Sequence, residues 1–191
     1  MPLAVIALDF DPVVRLGEWA IRMDTLVAAL GVLLALVLAA AIARRMPAKG
    51  SEAIAGILRP DDVLFIALAA MPGALIGGRL GYVLLHLEYY AANPTAFVDP
   101  AQGSLELALA VVGGALTGGY GARVLSGSAA RWFDVAAVPT LAALAVGKLA
   151  MAAAGSGQGI PWQGSWATAY VGPGPWGSLA AGFPAHPAQL Y

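Results

Sequence analysis

Arg79 is the one charged residue in an apolar run from 63 to 85, VLFIALAAMPGALIGGRLGYVLL. A guanidinium keeps its proton, so placing one in hydrocarbon costs on the order of 3 kcal/mol or more. An anion or a water-filled cavity offsets that cost, and a guanidinium can hold a phosphate through two parallel hydrogen bonds. A second cation, Lys148, stands in another apolar stretch near 134–154. At 1.5 Å per residue, Arg79 lies about 24 Å along a helix from Val63, and Lys148 about 21 Å from Asp134. If both helices run the same way, the two cations reach a similar depth. The Gly113-Gly114 pair of the helix between them then falls at a comparable level. Each cation alone is better explained as an anchor snorkelling to the headgroups. Together they predict a site for a lipid phosphate.

Other chemistry is scarce. The chain has no cysteine, hence no disulfide, no thiolate ligand and no thiol nucleophile of its own. Two histidines, His86 and His186, are too few and too far apart in sequence to suggest a metal site, so no metal is expected. Net charge is −1 and no basic stripe is present, which argues against nucleic acid as a partner.

The elements that must carry these residues are transmembrane helices. Hydrophobic residues make up 60% of the chain and charged ones 11%, too few to cover a soluble surface. Four stretches are long enough to span: 25–43, 63–85, 105–126 and 134–154. The expected fold is an all-α polytopic membrane protein, one membrane domain over 1–191. Residues 1–24 would form a short amphipathic interfacial segment, 25–154 the bundle, and 155–191 a cap. The start is no cleavable leader, because acidic residues stand beside Arg15 and Arg22 with no basic run into an apolar core.

Arg44, Arg45, Lys49 and Arg59 lie in the first connection, and Arg123 and Arg131 flank the third. The second connection and the tail carry no lysine or arginine. The positive-inside rule then sets both termini outside the cytoplasm. The tail has no charge at all but holds Trp162, Trp166, Trp176, Tyr170, Phe183 and five prolines. That density of proline and glycine excludes a long helix, and the rings suit an extracytoplasmic cap at the membrane–water interface. Gly73, Gly77 and Gly81, like Gly114 and Gly118, recur every four residues, the spacing that lets membrane helices approach closely.

GGRLGYVL at 77–84, the Gly-Gly pair of the third helix, HPAQLY at 186–191 and FDPVVRLGEWAIR at 10–22 resemble the prolipoprotein diacylglyceryl transferases. The resemblance covers essentially the whole chain. It implies transfer of a diacylglyceryl group from phosphatidylglycerol to the lipobox cysteine thiol of a prolipoprotein signal peptide, with release of glycerol phosphate. It also implies residence in the bacterial plasma (inner) membrane, reaction at the outer leaflet and no cofactor. Phospholipid contacts are implied at Arg79, Tyr82, Gly113, Gly114 and Lys148, and catalytic roles at Lys148 and His186. His186, Pro187, Gln189 and Tyr191 form the cap motif.

The chain departs from the family pattern at several positions. Val112 stands where the family has the histidine thought to help deprotonate the thiol. Gly147-Lys148-Leu149-Ala150-Met151 replaces Gly-Arg-x-Gly-Asn, and Asp24 aligns with a family tyrosine. The sequence ends at Tyr191, ahead of the family's glutamate and last helices, as in a C-terminally short member. A catalytically silent relative that binds phosphatidylglycerol or lipoprotein signal segments is therefore the alternative expectation.

Overall fold

The computed structural model describes residues 5–46, 59–99, 105–126, 128–173 and 182–190. It is mostly helical. Among the described residues four helices are long and apolar enough to cross a membrane: α1 (Met23–Arg45), α2 (Asp62–Leu85), α4 (Leu107–Ser126) and α5 (Ala129–Ala153). A short α3 (Leu87–Ala92) and a 3₁₀ turn (Pro94–Val98) follow α2. The chain is a multi-pass membrane protein of two compact units, residues 36–138 and residues 1–35 with 139–191.

In the unit 36–138, α2 and α4 pack backbone to backbone. A Cβ built on Gly73 would overlap the Gly113 carbonyl oxygen and the Thr117 hydroxyl, and one on Gly113 would overlap the Gly73 carbonyl. The contact continues from Gly77 to Leu109, from Gly78 to Ala110 and from Gly118 to Ala70. Only residues without bulk allow this approach, so the four-residue glycine spacing is a helix–helix interface. A cluster of Ala39, Ala43, Val63, Ala122, Trp132 and Val135 is the unit's buried core.

Glu106 starts α4. Its carboxylate accepts from the amides of Ala108 (2.6 Å) and Leu109 (2.7 Å), two donors that a helix start leaves unpaired. The Leu109 amide, then that of Ala108, holds this carboxyl below the usual carboxylate range. A depressed pKa adds stability that is complete above the unfolded value, near 4.3, and is lost as pH falls through the folded one. Glu106→Ala should therefore lower the melting temperature at neutral pH. The gap from the parent should close as the pH drops below about 4. Thermal unfolding of both proteins across that range checks the sign.

In the other unit, the segment expected to be a short amphipathic stretch is built of strands. β2 (Val13–Leu16) and β3 (Trp19–Arg22) form an antiparallel hairpin with Leu16 opposite Trp19. Gly17 at φ +64 opens the two-residue loop, the arrangement of a type II′ turn. β-branched and aromatic residues on both sides favour strand pairing over a helix. β1 (Ile6–Leu8) pairs in parallel with β4 (Thr168–Tyr170). Ala185 bridges to Thr168 and to Pro161. The expectation that 155–191 contains no long helix holds for its described part, which ends in a 3₁₀ turn at Ala188–Leu190.

Candidate functional site

Arg79 lies in the unit 36–138, near the end of α2, where α3 and the 3₁₀ turn fold the chain back over it. Its Nε donates to the Phe97 carbonyl (3.0 Å), and Nη2 donates to those of Ala96 (2.6 Å) and Asp99 (3.2 Å). The Tyr90 ring lies below, 5.5 Å from centroid to Cζ. A carbonyl oxygen has two lone pairs, so the Ala96 oxygen accepts from the Asp99 amide (3.3 Å) and from the guanidinium at once. Carbonyl oxygens satisfy the N–H groups without cancelling the formal charge.

Beside it runs an open groove of about 520 Å³. Leu75, Ile76, Leu80, Phe97, Val98 and Leu105 line it, with Arg79 and Asp99 as its charged members. Its walls are thus mostly apolar, with one guanidinium and one carboxylate among them. Tyr82 meets Tyr90 edge to face at 6.4 Å and stacks on His86 at 4.2 Å. Gly113 and Gly114 are not at the guanidinium. They face Gly73, Ala74 and Ala70, earlier on α2 than Arg79, and serve the helix contact. Val112 is half exposed on α4.

Lys148 belongs to the other unit. Its Nζ donates to the Ala188 carbonyl at 3.3 Å, tying α5 to the cap motif. His186 sits among tryptophans, with ring centroids 5.0 Å from Trp162 and 4.6 Å from Trp166. Its backbone pairs with Gly159 and Ile160. Pro187 and Gln189 are buried, while Tyr191 lies outside the described residues. Gln189 Nε2 donates to the Tyr170 hydroxyl (3.1 Å), which donates to the Ala152 carbonyl at the end of α5 (3.0 Å). Burial pushes the Tyr170 phenol up, and the Gln189 bond opposes this. The motif thus clamps the cap to α5.

A second concavity in this unit, about 420 Å³, gathers Asp24, Thr25, Gly147, Ala150, Met151 and Ser156. Asp24 is gripped by two nitrogens of Arg22, at 3.1 and 3.0 Å. Asp24 and Met151, two positions that depart from the family pattern, therefore line one space. Positions 127 residues apart in the chain give no sign of that in the sequence.

A family model described as prolipoprotein diacylglyceryl transferase matches residues 12–191. This chain belongs to that family. It is 31% identical over 183 residues to the phosphatidylglycerol–prolipoprotein diacylglyceryl transferase of Geobacter sulfurreducens, which covers 95% of this chain and 65% of that protein. Over 135 residues it is 30% identical to the proteins of that name from Bacillus cereus and Bacillus anthracis, covering 71% of this chain and 46% of theirs. The chain thus spans about half to two thirds of the curated relatives' length. Both unusual features of the transferase motifs, the arginine within α2 and the HPAQLY cap, lie within the matched region.

His86 is the residue that sequence reasoning passed over. Its Nδ1 lies 2.9 Å from the Tyr82 carbonyl, at the end of α2. The available signal was the i, i+4 spacing of Tyr82 and His86, which brings two rings to one helix face.

Proposed function

We propose that this chain takes phosphatidylglycerol as a diacylglyceryl donor and the lipobox cysteine thiol of a prolipoprotein signal peptide as acceptor. It would act at the outer leaflet of a bacterial plasma membrane, with both termini extracytoplasmic. The observation that carries the reading is the groove beside Arg79, whose apolar walls suit acyl chain and whose guanidinium suits phosphate. Positive charge there would stabilise the departing glycerol phosphate. The thiol comes from the acceptor, so a chain without cysteine is no obstacle. Orientation rests on the cationic first and third connections. Cysteines placed singly at Ala48 and Ala101, both outside the described residues, should label from opposite sides of the membrane.

A second reading, a silent relative that holds the lipid without transferring it, is favoured by two observations. Val112 offers no base, and Lys148 already donates to the Ala188 carbonyl. The deciding experiment uses the full chain purified from membranes that contain phosphatidylglycerol and a zwitterionic phospholipid. Native mass spectrometry should show phosphatidylglycerol retained preferentially, and a lipobox peptide should gain the mass of a diacylglyceryl group. Retention without transfer would establish the silent relative. No lipid preference and no transfer would sink both readings.

A further inference from the structure

We propose that His86 is the base that takes the acceptor thiol's proton, an assignment that rests on the transferase reading above. A carbonyl oxygen can only accept, so the 2.9 Å contact with Tyr82 requires the proton of the neutral imidazole to be on Nδ1. The lone pair is then on Nε2. Stacking on Tyr82 (4.2 Å between centroids, planes 29° apart) fixes the plane of the ring, and the residue is exposed. A histidine with one nitrogen held by a carbonyl and the other open is poised in a single tautomer.

Its position supports the same role. His86 is the C-cap of α2, seven positions on from Arg79, which is close to two helical turns or about 10 Å along the axis. Tyr90 and Tyr82 fill the interval: the guanidinium lies on Tyr90, Tyr90 meets Tyr82 edge to face, and Tyr82 stacks on His86. The cation, which lines the groove, and the base therefore stand at the two ends of one row of aromatic contacts. By contrast, His186 is half-buried against Trp162 and Trp166, and Val112 cannot accept a proton.

The step balances. Nε2 takes the S–H proton, and the thiolate sulfur forms a bond to the glycerol carbon that bears the phosphate ester. The carbon–oxygen bond breaks, and its electron pair leaves with glycerol phosphate. The imidazolium then returns its proton to solvent. A positioned general base is worth roughly 100-fold or more in rate.

The test reconstitutes the full chain with phosphatidylglycerol and a peptide carrying one lipobox cysteine. Two readouts are followed: diacylglyceryl transfer by mass, and the rate at which iodoacetamide alkylates the protein-bound peptide's thiol. His86→Gln should cut transfer by roughly 100-fold and slow alkylation, with lipid retention unchanged. In His86→Ala, added imidazole should restore part of both. If the parent transfers and His86→Gln transfers equally well, the assignment of the base is overturned and the transferase reading stands. If the parent transfers nothing, the transferase reading falls. In that case faster alkylation in the parent than in His86→Gln still supports the base, and equal rates overturn it.

Discussion

Gly73→Val should leave the α2–α4 pair unable to close. A Cβ at this position would overlap the Gly113 carbonyl and the Thr117 hydroxyl, and the first of these is backbone that cannot swing aside. The helices would have to separate, loosening the contacts at Gly77, Gly78 and Gly118 as well. Overpacking typically costs 1–3 kcal/mol, and a clash with backbone belongs at the upper end, about 3 kcal/mol. That is a large share of the 5–15 kcal/mol that holds most domains together. Gly147→Ala is the control, because a Cβ there meets nothing within 4 Å. It also removes a glycine from a helix interior and should gain up to about 1 kcal/mol. Thermal unfolding in one detergent compares the two directly. A Gly73→Val protein that melts with the parent would show that the helices do not cross at these glycines.

The helices were readable because hydrocarbon demands long apolar runs. Expected spans at 25–43 and 63–85 became Met23–Arg45 and Asp62–Leu85, and 134–154 began five residues earlier as Ala129–Ala153. The glycine spacing gave the α2–α4 contact for the same reason. Less was readable where the partner is far away in sequence. Pairing of Ile6–Leu8 with Thr168–Tyr170 joins segments some 160 residues apart, and nothing local in either announces the other. The hairpin at 13–22 did leave a signal, apolar strands around Leu-Gly-Glu-Trp, which acidic charges nearby obscured. The site was half legible. An arginine in an apolar run signals that its charge must be met, but not by what. Backbone carbonyls of residues 96, 97 and 99 meet it, and carbonyls have no sequence signature.

Those carbonyls separate two roles of Arg79 that one substitution would confuse. Arg79→Ala removes the donors to Ala96, Phe97 and Asp99 together with the charge beside the groove. Hydrogen bonds from charged groups are each worth roughly 1.5–3 kcal/mol, and this cluster is partly exposed, so about 3 kcal/mol in all is a fair expectation. Hydrogen exchange at the amides of Ala96 and Asp99, which close the 3₁₀ turn, should then speed up by roughly 100-fold. Retention of phosphatidylglycerol over a zwitterionic lipid should vanish in the same protein. Arg79→Lys keeps the charge but has one ammonium in place of a planar fork, and it cannot serve three carbonyls in the same geometry. Its exchange should rise by an intermediate amount while the lipid preference survives. An Ala variant that still selects phosphatidylglycerol would reduce Arg79 to a clamp on the 94–99 turn. A Lys variant that loses the preference would instead show that the guanidinium's two-pronged geometry, and not charge alone, recognises the lipid.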